Sequence, residues 1–187
     1  VSRAEPAAPR GRREWRRPEG SGILEVDTKG PTISSETDRM AAFGGQLRAV
    51  HQRLRQALEL ARRSIDGEVD IPEGLDLLVF CRGFCSALSG HHRSEDTGLF
   101  PEILAARPDL KPVVDDLVRD HNMLEHLLGE FSAALSSEAD PEALHRHLDG
   151  IGAIMESHFG YEERRLIEVL DAVAPDGDPR TLLGELA

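Results

Sequence analysis

The apolar residues Met40, Phe43, Leu47, Val50, Leu54 and Leu58 step along the chain by three and four. That rhythm draws one stripe down a helix and has no place in a half-buried strand, which alternates every two residues. No stretch of any length alternates in the strand manner. Ala, Leu, Glu and Arg dominate, which favours helix further. A chain restricted to helices buries its stripes by packing helix on helix.

Punctuation divides the chain into four long helices. Ser34 or Ser35 reads as a helix cap, and the first helix runs to about Ile65 before "DGEVDIPEG". The second starts near Pro72 and stops before Pro108; Pro101 is expected to kink it or begin a separate last turn. The third runs from near Asp109 to about Ser136. "SSEADPEAL" supplies a cap and a proline for the fourth, from about Pro141 to Val173. "APDGDP" breaks it, and "RTLLGELA" is read as a short final helix. Four such helices joined by short turns predict an all-α, antiparallel up-and-down four-helix bundle. The expected organisation is a flexible basic tail over 1–33, the bundle over 34–174, and a short helix or tail over 175–187.

The net charge is −12, spread unevenly. The first 30 residues hold seven Lys/Arg and five Asp/Glu, a balance of +2, so the remainder carries −14. An acidic domain repels phosphate backbones, which excludes nucleic acid as the expected partner. "RGRREWRRPEG" reads as a solvated tail. No apolar run approaches the roughly 20 residues of a membrane span, and none near Val1 resembles a signal peptide; the expectation is a cytoplasmic protein. Cys81 and Cys85, four apart on one helix, are poorly aimed for a disulfide and too few for a zinc site, so they read as reduced core residues.

The polar residues on this frame carry the chemistry. His91 and Glu95, His121 and Glu125, and His158 and Glu162 are each four apart on helices two, three and four, so each pair shares a face. His51 sits on the apolar stripe of helix one, where a lone histidine is ordinarily plain core. Counted from the intervening turns, the four histidines fall at depths that agree within about 8 Å at about 1.5 Å per residue. Imidazoles and carboxylates buried in one layer are costly unless paired or metal-bound. Mixed nitrogen and oxygen donors suit iron or manganese, and so many donors suit two metals bridged by carboxylates. His92, about 100° from His91, is either an extra ligand or a support. His126, His145 and His147 read as off the site, Asp96 and Glu163 as exposed or supporting, and Tyr161 as packing. Phe100, Leu124, Phe159 and Leu166 read as an apolar wall.

In order along the chain, "AVHQRL", "HHRSEDTGLFPEI", "DHNMLEHLL" and "ESHFGYEERRL" resemble the hemerythrin-like family of four-helix bundles over about residues 40–172. The resemblance implies a non-haem diiron centre, oxo- or hydroxo-bridged, with manganese the lesser alternative. It implies His51, His91, Glu95, His121, His158 and Glu162 as ligands, with Glu95 and Glu162 as bridges. The pattern departs from the oxygen-carrying members at two places. Glu125 stands where they have a second histidine on helix three, and Glu162 fits better than an aspartate five residues after His158. With Glu125 among the ligands, the site is richer in carboxylate, which stabilises ferric iron and moves the expectation from oxygen carriage toward oxidation, peroxide breakdown or sensing. Three classes compete: a protein that binds O2, NO or peroxide, a catalase-like or peroxidase-like enzyme, and a bundle with structural or incidental metal. The oligomeric state is left open.

Overall fold

The computed structural model describes residues 34–69, 77–173, 175 and 177–187, with side chains from Phe43 onward, those of 77 and 78 excepted. The chain divides into Val1–Gly30 and Pro31–Ala187, and the architecture below belongs to the second unit. The expected tail over 1–33, the side chains at the first cap, Met40, and the start of helix two near Pro72 lie outside what is described.

Every described regular element is a helix. Helix α1 spans Ser34–Ile65, α2 Leu77–Ser94, α3 Phe100–Ala106, α4 Lys111–Ser136, α5 Pro141–Val173 and α6 Pro179–Leu183. The stripe of α1 is the core face: Phe43, Leu47, Val50, Leu54 and Leu58 are all buried. Helix α5 starts where Asp140 Oδ1 accepts the Ala143 N–H at 2.8 Å, and α6 starts on Asp178 in the same way.

Helices α1, α2, α4 and α5 close a ring of contacts, α1 on α2, α2 on α4, α4 on α5 and α5 on α1. Along α1 and α5 the partners run in opposite order: Arg48 meets Glu163, Arg55 meets Glu156, and Arg62 meets Asp149. The same reversal holds for α2 and α4, where Cys85 faces Ser132 and Ser89 faces Glu125, and for α4 and α5, where Phe131 faces His147 and His121 faces His158. Cys81 and Cys85 are free and buried, and burial raises both thiol pKa values. Among the described residues no helix is long and apolar enough to cross a membrane.

Pro101 opens a separate short helix, one of its two expected outcomes: it stands in the first turn of α3. Between α2 and α3 the backbone passes through a π-helical segment, Glu95–Leu99, in which the Phe100 N–H bonds to the Glu95 carbonyl five residues back. Proline brings no N–H and crowds the carbonyl four residues behind it, here Thr97, so widening this turn relieves the clash. The Ser94 and Thr97 hydroxyls bond back to the Gly90 and Arg93 carbonyls, a pattern that bends helices.

Candidate metal centre

Seven side chains from four helices converge at mid-depth. His51 comes from α1, His91 and His92 from α2, Glu95 from the start of the π segment, His121 from α4, and His158 and Glu162 from α5; all are buried. They form two groups, His92 with His121 and His158, and His51 with His91, Glu95 and Glu162. Within each group one ligand atom per residue lies within 4.8 Å of the others.

Helix α2 lies in a corner of the ring, so its two inward directions face two different neighbours. Adjacent residues about 100° apart can each serve one. His91 faces His51 across α1 at a ring separation of 5.3 Å. His92 stacks on His121 of α4 at 4.1 Å and meets His158 edge-on at 5.3 Å.

The two glutamates join the groups. Glu95 turns Oε1 to His91 Nε2 at 3.4 Å and Oε2 to His121 Nε2 at 3.5 Å. Glu162 Oε2 lies 3.1 Å from His51 Nε2 and 3.9 Å from His158 Nε2. His121 Nε2 and His158 Nε2 face each other at 3.1 Å.

On the outer side most rings are anchored. His51 Nδ1 donates to Glu163 Oε1 at 2.8 Å, and His121 Nδ1 to Asp96 Oδ1 at 2.8 Å. His91 Nδ1 donates to the Leu183 carbonyl at 3.0 Å. Such outer partners fix a ring's orientation and present the other nitrogen inward. Phe159 lies flat on His51 at 3.9 Å, and Phe100 on His121 at 5.6 Å.

Burial and charge set the protonation of this cluster. Desolvation, with the His51 charge nearby, pushes His91 down to about 3. Desolvation pushes His158 to about 4 and His92 well below its ordinary value. Burial and the facing Glu162 push Glu95 well above the carboxylate range. Burial alone would raise Glu162 too, but the His51 ring, with His158 and His91, holds it down at about 2.

Apart from the facing Nε2 atoms of His121 and His158, the inner atoms lack hydrogen bonds. His51 Nε2, His91 Nε2, both His92 nitrogens and both oxygens of Glu95 and Glu162 are buried without a hydrogen bond, as is His158 Nδ1 on the outer side, 3.7 Å from Asp120 Oδ2. Among the described residues the one further such atom is Asp171 Oδ1. Buried polar atoms ordinarily have partners, and leaving one bare costs about 1–3 kcal/mol, so their concentration at one point fits a set of donors for cations.

The hemerythrin HHE cation-binding domain description matches residues 45–170, well over half of the chain. The chain belongs to that family. No curated protein and no solved structure in the comparisons matches it.

Within this hemerythrin-like domain, six of the seven residues expected from sequence come together: His51, His91, Glu95, His121, His158 and Glu162. Glu125 does not join them. It is exposed and accepts a 2.6 Å hydrogen bond from Ser89 Oγ. The reason is angular: it lies about 80° from the centre of the buried stripe of α4, on the edge that meets α2. The seventh inward side chain is His92. Cys81, Cys85, Leu88 and His92 step by four, three and four, and that spacing on the buried stripe was the available signal.

Asp96 and Glu163 act as anchors of His121 and His51. Tyr161 packs partly buried against the core with Arg165 over its ring, and His126 pairs with Glu130 at the surface. His145 bonds Asp66 and His147 lies by Phe131, both away from the cluster. Phe100, Leu124, Phe159 and Leu166 are buried. The Leu183 carbonyl carried no signal at all, because a main-chain acceptor leaves no mark on residue identity.

Proposed function

We propose that this protein is a diiron hemerythrin-like protein, an antiparallel four-helix bundle that binds a small diatomic or peroxide ligand (O2, NO or H2O2). The observation that carries the reading is Glu95, whose two oxygens are directed at imidazoles of different groups. A carboxylate so placed suits a bridge between two ions. His92, His121 and His158 would hold one ion and His51 and His91 the other, with Glu95 and Glu162 shared. Bound iron would supply a Lewis-acid and redox centre for the small ligand.

The chain's own residues shape what that centre can do. Three imidazoles serve one half and two the other, so the His51/His91 half has the fewer protein ligands and is where an exogenous ligand fits. Phe159 stacked on His51, with Leu47 and Leu166 buried nearby in sequence, excludes bulk water there. Glu163, Asp96 and the Leu183 carbonyl hold ring protons on Nδ1, leaving Nε2 directed inward.

With Glu125 outside the cluster, five imidazoles and two carboxylates remain. The carboxylate-rich set that pointed from ligand binding toward oxidation chemistry loses its third carboxylate, and binding or sensing of the small ligand is the reading favoured.

The test is metal content per chain and the visible spectrum of protein purified without added metal, followed by NO, O2 and peroxide addition. About two irons with near-ultraviolet bands that change on ligand addition is the expected result. No iron after anaerobic ferrous loading would end the reading. Sustained O2 release from peroxide would move the protein to the catalase-like class.

A further inference from the structure

The family match ends at residue 170, yet a group well beyond it touches the centre. The His91 Nδ1 proton is donated to the carbonyl of Leu183, the last residue of α6, at 3.0 Å. A carbonyl only accepts, so this bond places the ring proton on Nδ1 and leaves the Nε2 lone pair facing inward.

Several features hold the segment there. Leu182 and Leu183 are buried. Gly184 has φ 88° and ψ 176°, a conformation essentially reserved for glycine, and a Cβ on it would lie 3.2 Å from His91 Cα. A Cβ on Gly98, in the π segment, would lie 2.9 Å from Leu182 Cδ2, so the missing side chain lets α6 approach. From α1, the Arg53 guanidinium donates to the Leu186 carbonyl. The segment therefore lies against α1, α2 and the π segment, the elements that carry His51, His91 and Glu95.

We infer that residues 178–187 form a strap that is part of the metal centre: its main chain positions His91 and covers the half with two imidazoles. Leu183 is a positioning residue acting through its carbonyl. The inference rests on the diiron reading for its effect on metal and stands without it for its effect on the His91 ring.

Two measurements separate those dependencies. The first uses metal-free full-length protein, with ring ¹⁵N–¹H NMR reading the His91 Nδ1–H. The native chain is expected to show it slowly exchanging with solvent, and Gly184→Ala, which strains the strap at its closest approach, to lose that protection. The second is anaerobic ferrous affinity by chelator competition. Gly184→Ala and a chain ending at Asp178 are each expected to bind about 10- to 100-fold more weakly, the usual cost of losing a ligand's outer partner. Arg53→Ala is expected to shift both readouts in the same direction but less. Circular dichroism checks that helix content is kept; should the shortened chain unfold, the two point variants still decide. Retained His91 N–H protection in Gly184→Ala would overturn the positioning role. Ferrous affinity within about twofold of native in every folded variant would overturn the link to the metal centre. Absence of ferrous binding by the native chain, with the NMR effect intact, would remove the diiron reading and leave the strap as a holder of His91.

Discussion

His92 and Glu125 trade places between sequence and structure, and the exchange makes an experiment. His92 is buried with both nitrogens unpartnered, whereas Glu125 is at the surface on Ser89. His92→Ala is expected to weaken iron binding by about tenfold or more, and Glu125→Ala to leave it within about twofold, by chelator competition. Protonation offers a second test, on the metal-free protein. His91 and His158 are held near 3 and 4, while in the unfolded chain each protonates near 6.5. As pH falls from about 6.5 to about 4 the unfolded state takes up protons that the folded state refuses, so stability falls, by on the order of several kcal/mol for two such groups. Glu95 acts in the opposite sense: with its pKa raised, it withdraws stability as pH rises above the ordinary carboxylate value. Denaturant midpoints of metal-free protein across pH 4–8 are expected to drop at the acid end.

At the scale of elements, the boundaries and the break at Pro101 were legible, and the π form of that break was not. Ser34–Ile65 and Pro141–Val173 follow directly from stripe, cap and breaker, because those signals are local. The π segment follows from how Pro101 resolves its clash inside a helix already tied down on both sides, which no local pattern encodes. The site divides in the same way. His51, His121 and His158 were readable because each lies on a stripe; His92 lies on one too, but taking it as inward beside His91 required knowing that α2 faces two neighbours. The π segment delivers the Phe100 ring to the core beside His121, and Phe100→Ala removes that ring. Its loss from the core should cost more than about 3 kcal/mol in a urea titration. Asp140→Ala, which removes only the cap of α5, should cost about 1 kcal/mol and leave metal binding unchanged.

For the whole molecule, the cluster sits among the helices that make the core, so folding and metal binding are one linked equilibrium. Iron at about 1,000 times its dissociation constant is expected to add about 4 kcal/mol, and a chain of this length gains about 2–4 °C in Tm per kcal/mol. Scanning calorimetry with and without a chelator checks it; an unchanged Tm would mean that the bare donors are not gathering an ion. The strap has a consequence at this scale as well. The group that holds His91 belongs to the main chain, so almost any apolar residue at 183 supplies it equally well. Among descendants of this sequence, the identity of that residue is free to drift, while the spacing from α5 to the turn, and the glycine that makes the turn, are not. The history of this part of the centre would be written in the lengths of gaps rather than in letters.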